Sequence, residues 1–315
     1  MFAYIIKRCV LAIITLMVLI TIIFVLVRLL PGDPFIDEKI NLAIRQKMME
    51  YHGFDKPIHE QWVKYIGTLL KGDLGISLKY QGRSVNSAIA ATFPFSGALG
   101  LRALIFALTM GLFLGIIAAQ KAGRTLDYIC IFIAIIGVSV PEFVVSSLMQ
   151  LGFSIKLRWF PATQWLSWRH MILPVFALSL NTLAQLARIT RSSMMEVISQ
   201  DYILTAKAKG LSDFQVIWRH QIRNSILPVL TLMGPRVAYL LAGTFVVEQI
   251  FAIPGMGRFF VQSIQDLDYT MVLGMTAFYG LFLVTANLIV DILYGIVDPR
   301  IKLAEKKYKM SDFED

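Results

Sequence analysis

The sequence predicts an all-α polytopic membrane protein with six transmembrane helices. Hydrophobic residues make up 57% of its 315 residues and charged residues only 16%, whereas about a quarter of a typical soluble domain is charged. Residues 9–27 also form an unbroken run of apolar residues and threonine, which as a helix nearly crosses the ~30 Å hydrocarbon core of a bilayer. A soluble globular fold is therefore a poor alternative.

The first apolar run is expected to remain in the protein as a helix. Lys7 and Arg8 precede it, as basic residues precede a signal peptide, but the run is too long and no small-residue cleavage site follows it. Five further segments are apolar enough to span a membrane, and prolines within them predict kinks. The predicted spans are residues 9–27, 96–119, 128–153, 171–190, 227–251 and 271–296, with prolines at Pro141, Pro174, Pro228 and Pro235.

The loop charges predict that both termini are cytoplasmic. Lys and Arg resist translocation, and they are concentrated before the first span, after each even-numbered span and in the tail. Lys156, Arg158 and Arg169 in the second outer loop weaken this bias without reversing it. The overall charge of +9 is accordingly explained by cytoplasmic loops, and the scattered basic residues do not indicate nucleic-acid binding.

Two stretches between spans are too long to be simple turns. Residues 31–95 follow the first helix and are predicted to form an external soluble cap, with helical segments near 40–51 and 58–70. Residues 191–225 form a cytoplasmic loop. The predicted organisation is an N-terminal helix (1–30), an extracytoplasmic region (31–95), a five-helix core (96–296) and a cytoplasmic tail (297–315).

The cytoplasmic loop has the pattern of two short helices separated by a break. Residues 202–209 favour a helix that stops at Gly210. Ser212 can then cap a second helix, with Gln215 three residues later as in a capping box. Such a helix–glycine–helix motif is either an ordinary helical hairpin or a rigid knob that fits a groove in a partner.

The loop resembles that of the permeases of ATP-binding-cassette importers, in their oligopeptide, dipeptide and nickel branch. The general signature of this loop is Glu-Ala-Ala, three residues, Gly, nine residues and Ile-x-Leu-Pro. With its Gly at Gly210, only Ala206 of Glu-Ala-Ala is kept, and Ile226-Leu-Pro228 comes five residues late. However, Asp201-Tyr-Ile-Leu-Thr-Ala-Lys-Ala-Lys-Gly-Leu, followed by Arg219-His and Arg223-Asn, resembles the form found in the peptide branch.

Four further stretches resemble the same branch and occur in its order along the chain. They are Leu30-Pro-Gly-Asp-Pro34, Gly72-Asp-Leu-Gly75, Val247-Glu-Gln-Ile-Phe-Ala-Ile-Pro-Gly-Met-Gly257 and Asp298-Pro-Arg300. The resemblance implies that the cytoplasmic loop docks into an ATPase subunit, with Ala206 and Gly210 the foremost candidates. The implied coupling residues are Asp201, Leu204, Thr205, Ala206, Lys207, Ala208, Lys209, Gly210, Leu211 and Asp213.

The resemblance also implies the partners and the source of energy. It implies a second homologous permease subunit, two ATPase subunits and an extracytoplasmic peptide-binding protein, in a bacterial or archaeal cell membrane. The chain has no Gly-x-x-x-x-Gly-Lys-[Ser/Thr] phosphate loop, so ATP and magnesium are expected in the ATPase subunits and no cofactor in this chain. The four histidines share no metal-ligand spacing, and a metal site and a catalytic site are not expected.

Ionisable residues within spans are candidates for the translocation pathway, because charge is costly in a bilayer. We expect Glu142, Arg236 and Asp291 to be such residues, although Asp291 is also placed to reach an interface. Glu248 is expected in a structural or solvated position near an interface. The same three candidates would carry coupling ions in an ion- or proton-driven carrier, which is one alternative function. A permease for nickel or other metal complexes is another.

Overall fold

The computed structural model describes residues 2–29, 53, 55–80, 82–242 and 245–297. Within them, four helices are long and apolar enough to cross a membrane unaided: Ile5–Leu29, Val85–Gln120, Trp168–Ile198 and Tyr269–Ile289. Two bent pairs of helices raise the number of candidate spans to six if each pair is one span. The β-pairing among these residues is limited to one isolated bridge, between Ile76 and Ser84.

The described residues form twelve α-helices. They are α1 (Phe2–Leu29), α2 (Ile58–Leu69), α3 (Val85–Gln120), α4 (Thr125–Ser139), α5 (Glu142–Met149), α6 (Trp168–Ile198), α7 (Asp201–Ala208), α8 (Asp213–Gln215), α9 (Arg223–Ala242), α10 (Phe245–Ile250), α11 (Met256–Gln265) and α12 (Tyr269–Val297). Two π-helical segments, Gln150–Lys156 and Val216–Ile222, continue α5 and α8.

The third predicted span is sharply bent at Pro141. Helix α4 ends at Ser139, Val140 is extended, and α5 begins directly after Pro141. A proline lacks the amide hydrogen of a helical bond and disfavours helical geometry in the residue before it. The two halves meet at 104°, so this segment is a broken span or a re-entrant loop. By contrast, Pro174, Pro228 and Pro235 lie inside helices.

The chain divides into two compact units, the first comprising residues 1–95 and 254–288. Within it, α2 confirms the helix predicted near residues 58–70, whereas the one predicted near 40–51 lies outside the described residues. Two apolar clusters hold the described part of the unit together. One is built from Phe24, Val27, Leu78, Tyr269, Val272 and Leu273, and the other from Val85, Ala88, Ile89, Met256, Met271 and Met275.

Asp268 joins the start of the last helix to the Gly72–Gly75 region. Its buried carboxylate accepts hydrogen bonds from the amide of Met271 at 3.1 Å, from the amide of Leu78 at 3.1 Å and from the hydroxyl of Ser77. An N-cap carboxylate satisfies a backbone donor that the helix itself leaves unpaired. The segment that follows Gly75 is thereby fixed to the N-terminus of α12.

The second unit comprises residues 96–253 and 289–315, and in its described part α6 contacts helices from several spans. Gly111 and Gly115 allow α3 to approach α6 closely: a Cβ atom at Gly115 would lie 2.6 Å from the carbonyl oxygen of Ala187, and one at Gly111 would lie 2.7 Å from Leu186. Small residues four apart are a common packing device between membrane helices, because they let two backbones come together.

Candidate functional site: a helical elbow and an intramembrane polar cluster

The predicted helix–glycine–helix motif is present, and we call residues 201–222 the elbow. Helix α7 ends at Ala208, and Gly210 has a φ of +80°. This left-handed conformation is one that glycine adopts without the cost imposed by a Cβ atom. Ser212 then caps α8 and forms the predicted capping box with Gln215. The predicted stop and start of the two helices are both confirmed.

The elbow has a small apolar core of its own. Ile203 and Ala206 of α7 are buried together with Val216 of the π-helical segment, and the partly buried Val197 and Leu211 pack against them. Ala206, a foremost candidate from the sequence, therefore packs inside the elbow and is only 5% exposed. Its side chain packs in the core that joins the two arms of the elbow.

The outer face of the elbow carries large exposed apolar side chains. Leu204 is 66% exposed, Phe214 is 73% exposed and Trp218 is 63% exposed. The rings of Phe214 and Trp218 stack with their centroids 6.4 Å apart and their planes 3° from parallel. Sequence reasoning missed these two aromatic residues, although their spacing of four places them on one helix face.

The other predicted coupling residues lie around this apolar face. Exposed positions are held by Asp201, Thr205, Lys207, Ala208, Lys209, Gly210 and Asp213, and Leu211 is partly buried. The elbow is linked to the membrane-spanning part of the unit by a side-chain hydrogen bond from Gln120, the last residue of α3, to the buried Gln221. An element whose apolar surface is surrounded by charged residues is thus attached to α3.

A second group of polar side chains lies among the middle parts of the spans. The Tyr239 hydroxyl on α9 donates to the Glu142 carboxylate on α5, at 3.2 and 3.3 Å from its two oxygens. On the same helix, Nη2 of Arg236 donates to Oε1 of Gln185 on α6 at 2.6 Å, and Gln185 donates to Asn181 at 2.7 Å. We call these five residues the polar cluster.

The structure therefore brings Glu142 and Arg236 into one unit with polar neighbours that sequence reasoning did not identify. Asp291 lies on α12, but its side chain is outside the described residues. Glu248 is fully buried and accepts a hydrogen bond from the Ser96 hydroxyl at 2.6 Å. The expected structural position fits this contact, whereas a solvated one does not.

No metal centre accompanies either group of residues in the part of the chain that the structure describes, since no three His, Cys, Asp or Glu side chains come together there. The elbow provides a shaped surface, whereas the polar cluster provides charged groups. The elbow presents an exposed apolar surface, and the polar cluster places an acid and a base among apolar helices.

Comparison with known proteins decides the family. The model of the family described as "Binding-protein-dependent transport system inner membrane component" matches residues 111–303, and the model of its N-terminal region matches residues 1–95. The chain belongs to this family. It is thus a membrane component of a binding-protein-dependent transport system, as the resemblance in the loop sequence had implied.

Members of this family from bacteria are similar to the chain over almost its whole length. The dipeptide transport system permease protein DppB of Bacillus subtilis is 44% identical over 96% of this chain and 99% of its own length. The oligopeptide transport system permease protein OppB of Salmonella typhimurium is 41% identical over 96% of this chain and 100% of its own length.

Solved structures of the same fold are more distant in sequence. An inward-facing form of the MetNI methionine ABC transporter has a chain with a TM-score of 0.54 and 14% identity, covering 67% of this chain and 96% of that one. A chain of an amino acid ABC transporter crystallised with histidines has a TM-score of 0.53 and 15% identity, covering 66% and 93%. These likenesses show that the fold is that of ABC-importer permeases.

Proposed function

We propose that this permease component forms the membrane path of an ATP-driven importer of short peptides. The observation that carries the proposal is the similarity of 41–44% identity, over 96% of the chain, to permeases of dipeptide and oligopeptide transport systems. Similarity at this level and coverage favours the same transport task. We place the protein in the cell membrane of a bacterium, with six spans, cytoplasmic termini and an external cap.

The elbow is the proposed docking surface for an ATPase subunit. Exposed Trp and Phe side chains are the kind that dominate binding energy when a partner buries them, and the elbow's own core keeps them in a fixed arrangement. Closure of the ATPase subunits would move the elbow as one body. The motion would then reach α3 through the bond between Gln221 and Gln120, and α9 through the continuous backbone.

The remaining parts of the importer are proposed to be separate chains. They are a second homologous permease, two ATPase subunits that hold ATP and magnesium, and an external peptide-binding protein that delivers the substrate. This chain is proposed to have no catalytic site of its own. Glu142, Arg236 and Asp291 are proposed to line the path, because a charged residue within a span is otherwise costly.

Transport by the assembled complex tests this function. We expect proteoliposomes that contain both permeases and the ATPase subunits to take up labelled di- and oligopeptides when ATP is enclosed and the loaded binding protein is outside. Uptake that does not depend on ATP but is abolished by an uncoupler would instead establish an ion-coupled carrier. Uptake of nickel complexes but not of peptides would refute the proposed substrate class.

The docking role of the elbow is tested by a pair of tryptophan variants. Trp218→Ala is expected to reduce both co-purification of the ATPase subunit and ATP-dependent uptake at least tenfold. Trp168→Ala is a matched control, because Trp168 is 69% exposed and begins α6, about 45 Å from the other end of that 31-residue helix. Equal effects of the two changes would contradict docking at the elbow.

A further inference from the structure

The acid and the base of the polar cluster each form their side-chain hydrogen bonds with a neutral residue. Glu142 accepts from the Tyr239 hydroxyl, and Arg236 donates to the Gln185 amide oxygen. An ionised carboxylate has about four acceptor positions and a guanidinium has five N–H donors. One contact of this kind therefore orients each charged group and leaves most of its hydrogen-bonding capacity for another molecule.

The cluster also lies within candidate spans, where placing a charged group costs free energy and such groups usually have a function. Glu142 starts the second half of a bent candidate span, Gln185 is near the middle of α6, and Arg236 is within the second half of another bent candidate span. In contact with lipid tails, each charged side chain would cost at least about 2.5 kcal/mol. The cluster is nevertheless accessible in the single chain, where Tyr239 is 43% exposed. Such a face is better suited to contact with water or with a second subunit than with lipid tails.

The spacing of the charged groups suits a small zwitterion. Arg236 and Tyr239 are three residues apart on α9, so they share a helix face and are separated by about 4.5 Å along its axis. The Tyr239 hydroxyl in turn holds the Glu142 carboxylate, so the negative group is held by a residue on the same helix face as Arg236. A dipeptide carries an ammonium and a carboxylate at most about 7 Å apart when extended.

From these observations we propose that the polar cluster is a transient binding site for the two free termini of a peptide in transit. Glu142 receives the α-ammonium group and Arg236 receives the α-carboxylate, while Tyr239 and Gln185 keep both side chains in place. Charge-assisted hydrogen bonds of this kind are about twice as strong as neutral ones. Because every dipeptide with free ends has these groups at this spacing, the site would accept dipeptides of any side-chain sequence.

This inference rests on the proposed peptide-import function, and its test uses the complete complex in proteoliposomes. The substrates are a labelled dipeptide with free ends, its N-acetyl form and its C-amide form, each at a concentration that gives measurable uptake by the wild-type complex. For each substrate, uptake by a variant is divided by uptake by the wild type. The variants are Glu142→Gln and Arg236→Gln, which remove charge and keep much of the side-chain shape.

Glu142→Gln is expected to lower uptake of the free and C-amide peptides at least tenfold and to change that of the N-acetyl peptide less than twofold. Arg236→Gln is expected to lower uptake of the free and N-acetyl peptides and to leave uptake of the C-amide peptide nearly unchanged. As matched controls, Glu196→Gln and Arg188→Gln remove exposed charges from α6 and should change uptake less than twofold for all three substrates.

Two results would overturn the inference. One is an unchanged rate for the free peptide in both variants, and the other is an equal loss for all three substrates, which would indicate a purely structural role. Either result requires that the wild-type complex imports the free peptide, so it leaves the proposed function standing. Failure of the proposed function would appear as absence of peptide uptake by the wild-type complex itself.

Discussion

Arg191 on α6 binds Asp127 on α4 through two parallel hydrogen bonds, from Nε to Oδ1 at 2.6 Å and from Nη2 to Oδ2 at 2.8 Å. The Asp127 side chain is only 2% exposed, and it also accepts from the amide of Gly123 at 2.9 Å. The pair therefore ties the loop between α3 and α4 to the C-terminal end of α6, directly before the elbow. A bidentate pair of this kind has a defined geometry as well as strength.

Loss of Arg191 is expected to destabilise the protein by about 1–3 kcal/mol, because the buried Asp127 carboxylate then keeps only its hydrogen bond from the Gly123 amide. The double variant Asp127→Asn/Arg191→Gln removes both charges and should be clearly less harmful than Arg191→Ala. The measurement is the thermal unfolding midpoint of the purified protein in detergent. Arg188→Ala, one helical turn earlier at an exposed position, is the control and should leave the midpoint nearly unchanged.

Substitution of Gly210 is expected to act through the backbone and not through side-chain size. A Cβ atom there would meet nothing within 4 Å, yet φ is +80°, which costs a residue other than glycine about 1 kcal/mol or more. Gly210→Ala and Gly210→Leu should therefore lower ATP-dependent uptake to a similar extent, and Gly210→Asn should lower it less. A graded loss that follows side-chain volume would contradict this explanation.

Substitution of Gly115 is expected to force α3 and α6 apart. A Cβ atom there would lie 2.6 Å from both the carbonyl oxygen of Ala187 and the Cβ of Thr190, and overpacking of this kind costs about 1–3 kcal/mol. Gly115→Ala should lower the thermal midpoint measurably. Gly152→Ala is the control, since a Cβ at Gly152 meets no atom within 4 Å; comparable losses for both variants would disprove the packing argument.

Removal of the Tyr65 hydroxyl is expected not to destabilise the protein and to change its response to alkali. Among the described residues this buried hydroxyl has no hydrogen-bond partner, and burial raises the pKa of Tyr65 to about 12. Since the folded-state pKa lies above the unfolded value of about 10, the wild-type protein keeps its full stability below pH 10 and loses part of it as the pH rises towards 12, where the unfolded chain releases the proton more easily than the folded one.

The difference in unfolding free energy between wild type and Tyr65→Phe, measured from pH 8 to pH 12, tests this prediction. The variant should equal or exceed the wild type at pH 8, because it no longer buries an unpaired hydroxyl. Its advantage should then grow above pH 10. An advantage that stays constant across this range would show that Tyr65 ionises equally easily in both states.

Local sequence patterns predicted several elements correctly because their causes lie within a few residues. Each of the six predicted spans overlaps a helix or a bent helix pair in the described residues, since long apolar runs have few other structures available in a membrane. The stop at Gly210 and the capping box of Ser212 and Gln215 likewise depend on neighbouring residues alone. The predicted sidedness and domain boundaries remain predictions.

Other features depended on contacts between residues that are distant in the sequence. Nothing near Glu248 indicates that Ser96, 152 residues away, would satisfy it in a fully buried position. Likewise, the kink expected at Pro141 follows from local chemistry, but its angle of 104° is set by how the two halves pack.

The sequence by itself therefore determined the membrane class, the apolar spans and the helix–glycine–helix pattern of the elbow, because hydrophobicity, proline, glycine and capping act locally. Only the tertiary structure decided that Ala206 is buried while Phe214 and Trp218 face outwards, and that Glu142 and Arg236 lie in one cluster with Tyr239 and Gln185. The physical reason is that exposure and pairing are properties of packed surfaces, to which each helix contributes only one side.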